Sequence, residues 1–382
     1  MITHTLNRRQ FLASSSAVLS GGFLTGGLAG CASTQAATPL PRLRLIGEVR
    51  LQNRLQFQGT TVGGLSGIDF DPINGVLYLV SDDGGSRSPP RFYTARLALT
   101  ADKLGDIELT GVTFLRGVTA PDPESIRWHA PSQSLLWTSE GNALPGTAPG
   151  LQQTRPDGSL LRAFALPDMF NFGLLDIVKN QGPRANKTFE GLALTTDGSS
   201  AWLSMEAALR QDGPEPTTAA PGGPCRFTQI DIASGKALRQ IAYLPDAIPR
   251  APSPPSANAD NGVVEVLMLN ADSMLVLERA YMAGLGPTLR CSIRLYMADT
   301  RQATDTLNIA ALKPGSYKAA TKSLVADFAD FPALTELDNT EGMCWGPTLP
   351  NGNRTLLFVS DDNFSARQIT QFLAFEFLES TP

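Results

Sequence analysis

The 382-residue sequence predicts an all-β fold, a β-propeller, and three observations point to it. A pattern of short apolar strand, turn and second apolar strand recurs along the chain. Turn chemistry of the hairpin kind sits inside it, with Asn74-Gly75, Asp197-Gly198 and Asn351-Gly352 between apolar runs. Composition agrees: 35 Gly and 28 Pro with 7% aromatics suit many short strands joined by turns.

Five units are legible in order. The first covers 65–82 and the second 123–140, turning at Pro131-Ser132. The third covers 189–206, the fourth 264–278 with its turn at Asn270-Ala271-Asp272, and the fifth 340–361. Strand-like runs follow at 91–99 and 107–115, at 226–232 and 237–244, at 292–298 and 306–309, and at 369–378. Only near 319–328 is a short helix expected. A hairpin with two outer strands, repeated about every 60 to 75 residues, reads as a propeller blade. The long intervals 206–264 and 279–340 leave room for a sixth. The last unit is one strand short. The run 43–52 can supply it and close the ring, which removes open sheet edges. Pro-rich stretches at 212–224 and 245–256 read as surface loops, so residues 43–379 form one domain.

The repeat places acids at equivalent positions. First strands begin with Glu124, Glu190, Glu265 and Glu341, with Ser66 in the first unit. Second strands end with Asp82, Glu140, Glu206, Glu278 and Asp361. The separation is 16 residues in three units, 13 in the fourth and 20 in the fifth, with the turn near the midpoint. An antiparallel hairpin sets the start of one strand beside the end of the next. Ring symmetry then converges these acids on one mouth of the central channel. Converging carboxylates must bind cations, pair with basic groups or hold protons. An all-oxygen set without histidine or thiolate suits Ca²⁺ or Mg²⁺ over zinc or copper. Asp82, Glu124, Glu140, Glu190, Glu206, Glu265, Glu341 and Asp361 are the candidate metal ligands. Arg127, Arg210 and Arg279 are the candidate anion-binding residues, with Arg87, Arg91, Arg367, Lys179 and Lys187 also nearby in sequence. The alternative is structural: Glu-Gly capping backbone amides and Ser-Asp forming Asx-type turns.

The first 31 residues read as an export signal. Asn7-Arg8-Arg9-Gln10-Phe11-Leu12 precedes an uncharged, weakly apolar stretch, and resembles a twin-arginine signal. Leu28-Ala29-Gly30-Cys31 resembles a lipobox, which makes Cys31 the lipidated residue; the alternative is an ordinary signal cut after Ala32 or Ala37, with Cys31 lost. Residues 32–42 read as a flexible tether. A monomer held at the periplasmic face of the envelope by its lipid is expected.

Charge and composition exclude several classes. The chain has 31 basic and 36 acidic residues, and loss of Arg8 and Arg9 leaves 29 − 36 = −7. That disfavours nucleic acid, or an anionic membrane surface, as partner. Of two histidines His4 lies in the signal, so only His129 remains and a multi-histidine zinc site is excluded. No G-x-S-x-G occurs. Cys225, Cys291 and Cys344 allow one disulfide or three buried thiols.

Across residues 44–378 the chain resembles the bacterial family named for the esterase-like activity of phytase, the phytase-like domain. The resemblance rests on Leu65-Ser66-Gly67-Ile68, Ser81-Asp82-Asp83-Gly84, Pro123-Glu124-Ser125-Ile126 and Asn186-Lys187-Thr188-Phe189-Glu190-Gly191-Leu192. Leu277-Glu278-Arg279, Asn339-Thr340-Glu341-Gly342-Met343 and Ser360-Asp361-Asp362-Asn363-Phe364 complete it. It implies a propeller-like fold and esterase or phosphatase activity. The β-propeller phytases look like distant relatives with calcium-rich acidic mouths. The expected function is a Ca²⁺-dependent hydrolase of small anionic esters or phosphoesters. The alternative is a non-catalytic propeller that binds a ligand or partner. A quinone-dependent redox enzyme is weaker, because His129 alone could serve it.

Overall fold

The computed structural model describes residues 39–118, 121–143, 147–172 and 180–379. Arg8, Arg9, Cys31, most of the tether and Lys179 lie outside these residues. Strand β1 (Arg42–Arg50) comes first, followed by a small hairpin of β2 (Gln56–Phe57) and β3 (Thr60–Thr61). Blade one is β4 (Leu65–Asp71), β5 (Val76–Ser81), β6 (Arg91–Leu99) and β7 (Leu104–Phe114). Blade two is β8 (Pro123–His129), β9 (Ser134–Ser139), β10 (Gly150–Thr154) and β11 (Leu160–Ala163). Blade three is β12 (Phe189–Leu194), β13 (Ser200–Met205), β14 (Cys225–Asp231) and β15 (Ala237–Tyr243). Blade four is β16 (Ala259–Met268), β17 (Ser273–Met282), β18 (Cys291–Asp299) and β19 (Thr321–Asp327). Blade five joins β20 (Asn339–Trp345), β21 (Arg354–Asp361) and β22 (Gln371–Leu378) to β1.

The ring therefore has five four-stranded antiparallel blades, and the intervals that left room for a sixth hold outer strands and loops. The N-terminal strand closes it as the sequence predicts, pairing from Arg42 with Leu378 to Arg50 with Gln371. Inner strands β4, β8, β12, β16 and β20 each touch the next around the ring. Turns fall where expected, with Gly75, Gly198 and Gly352 in the left-handed region at φ +63°, +69° and +87°. Inner hairpins are apolar on both faces because a blade packs on each side; all six residues of both β9 and β13 are buried. Separate apolar clusters fill the gaps between blades. Tyr78 and Phe92 of blade one meet Leu135 and Trp137 of blade two, for example.

Two expectations differ. The helix expected near 319–328 is strand β19, which pairs with β18 and ends where Asp327 caps a single 3₁₀ turn. The run 306–309, expected as the outer strand, is instead a crossing segment. Thr306 N donates to the Gln240 carbonyl and Leu312 N to Asp212 Oδ1, tying this stretch to blade three. Cys225, Cys291 and Cys344 are buried free thiols. Among the described residues no helix is long and apolar enough to cross a membrane.

Candidate active site and metal centre

Every inner hairpin carries a β-bulge at the mouth end. The bulge residues are Ser66, Glu124, Glu190, Val264 and Glu341 in blades one to five. The residue just before the bulge pairs with Ser81, Ser139, Met205, Glu278 and Ser360. The next residue along the second strand is then Asp82, Glu140, Glu206, Arg279 and Asp361. Two rings of side chains result, and blade four alone contributes no acid to either. Its bulge residue is apolar and its second position is the cation Arg279.

The residue after the bulge is small where the inner strands converge. A Cβ on Gly67 would sit 2.5 Å from the Glu124 carbonyl oxygen, and one on Gly191 2.9 Å from the Glu265 Cα. The Glu-Gly pair thus has a physical reason. The bulge turns Glu toward the mouth, and Gly lets neighbouring backbones approach. Blade four places Glu265 at this inward position, so Glu265 lies beneath the mouth. It pairs with Arg127 at 2.9 Å, and both side chains are almost wholly buried. It also accepts from Ser125 Oγ at 2.7 Å and Leu192 N at 2.8 Å.

Above this floor opens a cavity of about 880 Å³. Asp82, Glu124, Glu140, Glu190, Glu206, Glu341, Asp361 and Arg279 all line it. Glu265, Arg127 and Arg210 do not. Arg127 spends its donors on backbone carbonyls in the channel, and Arg210 lies on the loop after β13. Glu278, equivalent by sequence, turns into the gap between blades three and four. There it accepts from Tyr243 Oη at 2.7 Å and Asn261 Nδ2 at 2.9 Å. Asp122 and Asp260, which the repeat did not single out, also line the cavity. Asp122 lies just ahead of β8, two residues before the bulge residue Glu124, and Asp260 lies on β16, four before the bulge residue Val264.

The acids group unevenly. Ligand oxygens of Asp122, Glu124 and Glu140 lie within 4.8 Å of one another, and so do those of Glu140, Glu190 and Glu206. Glu140 belongs to both groups. Among the described residues Glu124 and Glu190 have no ion-pair partner, although each is buried. On the other side Arg279 lies 3.1 Å from Glu341, 3.7 Å from Asp260 and 3.8 Å from Glu206. Lys187 reaches Asp260 at 3.5 Å. Among the described residues the cations thus stand on the Glu341, Asp260 and Glu206 side of the mouth, and none is in ion-pair contact with Glu124, Glu140 or Glu190.

Burial and then Glu206 raise the Glu140 carboxyl to about 8. Burial raises Glu206 to about 7 against Arg279 and Lys187. Asp82, Glu124, Glu190 and Asp361 are held well above the usual range by burial and then by a neighbouring acid. Burial lifts Asp122 to about 6, with Asp83 adding. Such a cluster keeps protons or takes a cation. Its all-carboxylate chemistry fits a hard divalent ion.

A family model described as Phytase-like, esterase-like activity of phytase, matches residues 60–364. The chain belongs to the phytase-like family. Membership supports a hydrolase-type function for this phytase-like propeller, and its acidic clusters could bind a metal. No curated protein matches the chain in sequence. Among solved structures it is similar to the catalytic domain of the Coprinopsis cinerea GH62 α-L-arabinofuranosidase, at 12% identity and a TM-score of 0.38, over 88% of this chain and 96% of that one. It is also similar to the Phanerochaete chrysosporium exo-β-1,3-galactanase, at 10% identity and 0.44, over 86% and 64%. The Dos1 propeller gives 7% and 0.33, over 82% and 68%. These scores are too low to bear on function.

Proposed function

We propose that this phytase-like propeller is a divalent-cation-dependent hydrolase of small anionic esters, phosphoesters foremost, acting at the acidic mouth. The observation that carries the reading is Glu140, which belongs to two carboxylate groups whose buried members Glu124 and Glu190 have no ion-pair partner among the described residues. Asp122, Glu124, Glu140, Glu190 and Glu206 would hold the ion, and the all-oxygen set suits Ca²⁺. When bound, a divalent ion polarises an ester oxygen and lowers the pKa of water. The chain's own residues do the rest. Arg279 is held in place by Glu341 and Asp260, and it presents a fixed positive charge to the cavity. Lys187, Arg290 and Arg367 also line the cavity and favour an anion there.

The same reading places the protein outside the cytoplasm. Arg8-Arg9 supports twin-arginine export, Cys31 the lipid anchor, and residues 32–42 a short tether. Cell fractionation of wild type and Cys31→Ala checks this. The variant is expected to move from the membrane to the soluble fraction.

The test of function is turnover of p-nitrophenyl phosphate, p-nitrophenyl acetate and phytate, with EDTA and with added Ca²⁺. Hydrolysis is expected that EDTA abolishes and Ca²⁺ restores. Absence of EDTA-sensitive turnover on all three overturns the proposal and leaves a binding propeller.

A further inference from the structure

The chain enters the propeller at the end opposite the mouth. Strand β1 starts at Arg42 beside Leu378 and ends at Arg50 beside Gln371. Gln371 N donates to Ser360 Oγ at 2.8 Å, next to the mouth acid Asp361. Leu378 follows Phe377, which pairs with Arg354 at the close of the 346–353 turn. Arg44 fixes the start of β1 there. Its Nε donates to Glu376 at 2.6 Å and its Nη2 to the Ala101 carbonyl at 2.7 Å, in the turn between β6 and β7. Glu376 also accepts from Asn351 and Asn353 of the blade-five turn, at 2.6 and 2.7 Å. Pro41, just ahead of β1, is buried.

Length decides what this entry point allows. Strand β1 has 9 residues, so at about 3.3 Å per step it separates the two ends of the ring by about 26 Å. Leu40 lies nine residues after Cys31, and that stretch reaches at most about 32 Å when fully extended. To set the mouth against a membrane, it would have to run back along the whole outside of blade five. Only about 6 Å would then remain to reach the lipid. The turn face needs no such detour, and its chemistry suits lipid better. The inner turns 72–75, 130–133, 195–199, 269–272 and 346–353 hold Asp197 and Asp272 as their only charged residues, whereas nine carboxylates line the mouth. An anionic lipid surface therefore repels the mouth more than the turn face. Ile73, 80% exposed at the tip of the blade-one turn, and Leu40, 37% exposed at the chain's entry, offer apolar side chains on the turn face.

We infer that the protein stands on its turn face, with a lipid bilayer against the five inner turns and the acidic mouth open to the water on the far side. The bilayer is the one that holds the Cys31 lipid. The inference rests on the proposed lipid anchor, and it deepens the hydrolase reading. Substrates reach the mouth from solution, so they are soluble anionic esters and not phospholipid headgroups of the membrane that carries the protein.

The test uses the full-length lipidated protein in vesicles of phosphatidylethanolamine and phosphatidylglycerol that carry an acceptor dye on the headgroups. A maleimide donor dye is placed at Ile73→Cys on the turn face, or at Ala366→Cys, an exposed position between the cavity-lining Ser365 and Arg367. Cys225, Cys291 and Cys344 are buried and escape labelling. Energy transfer is expected to be at least about twofold higher from Ile73→Cys, given a height difference of about 26 Å. Equal transfer from both positions, or higher transfer from Ala366→Cys, overturns the inference. Failure of the wild type to float with the vesicles overturns it too, together with the anchor. Because the readout is a distance, a lack of turnover on every substrate would sink the hydrolase reading and leave the orientation standing. A catalytic arm tests the substrate class. Turnover of p-nitrophenyl phosphate is expected to be the same on vesicles and in detergent, while phosphatidic acid in those vesicles releases no phosphate. Phosphate release from that lipid as fast as from p-nitrophenyl phosphate counts against the orientation.

Discussion

Arg127 of blade two and Glu265 of blade four meet at 2.9 Å in the centre of the ring, and between them they touch all five blades. Arg127 donates to the carbonyls of Ile68, Ile126, Val266 and Met343, in blades one, two, four and five. Glu265 accepts from Ser125 of blade two and Leu192 N of blade three. The pair is the floor of the mouth. Removing one partner of a buried pair leaves an uncompensated charge and costs about 3–5 kcal/mol. Arg127→Met and Glu265→Leu are each expected to destabilise by that amount in urea unfolding. The double variant is expected to be milder than the sum of the two, as a double-mutant cycle shows.

Ring closure rests on one strand. Ile46 of β1 is buried in the cluster between blades one and five. Ile46→Ala is expected to cost about 2–4 kcal/mol from lost transfer energy and the cavity left behind. The loss should appear as a shift of the whole thermal transition, because opening the ring exposes two blade edges. A separate early transition would show that β1 frays alone.

The mouth sets a pH dependence in metal-free protein. The Glu140 carboxyl is raised from 4.5 to about 8 and that of Glu206 from 4.5 to about 7. Between those values the folded state keeps protons that the unfolded chain has lost. Stability contributed by these groups is full below about 4.5, falls as pH rises, and levels above about 8. Thermal melts in EDTA should therefore drop from pH 5 to pH 8. Added Ca²⁺ should recover most of the drop at pH 8, where the ion replaces the protons.

Arg279 occupies the place of an acid in the second ring. Arg279→Gln leaves Glu341 and Asp260 without their guanidinium. Divalent-ion affinity is expected to rise, since a competing cation is gone. KM for p-nitrophenyl phosphate is expected to rise about tenfold, the scale of one charge-assisted hydrogen bond. Tighter metal binding with unchanged KM would assign Arg279 to charge balance alone.

Much of this was legible in the sequence because each blade repeats one hairpin. Apolar runs and Asn-Gly turns mark the inner strands, and Asp82, Glu140, Glu206 and Asp361 fall at its end. Blade four's acids sit one residue out of step with the repeat. Its acid Glu265 looks like the bulge glutamate, yet the bulge is at Val264 and Glu265 stands where other blades have Gly or Ser. The same shift hides that Arg279, not Glu278, faces the mouth. Blade two's outer strands carry no clear sequence signal because Gly150–Thr154 and Leu160–Ala163 are short and partly polar. Asp122 and Asp260 lie ahead of the repeated motif, so no periodicity marks them.

Calcium titration of the metal-free protein bears most directly on the mouth as a metal centre. Wild type and Glu140→Gln are titrated calorimetrically at pH 7 in two buffers of different ionisation heat. Saturable binding with proton release is expected in wild type, with affinity lost at least tenfold in Glu140→Gln, the residue shared by both carboxylate groups. Binding of equal strength in Glu140→Gln, or none in wild type, would contradict the assignment.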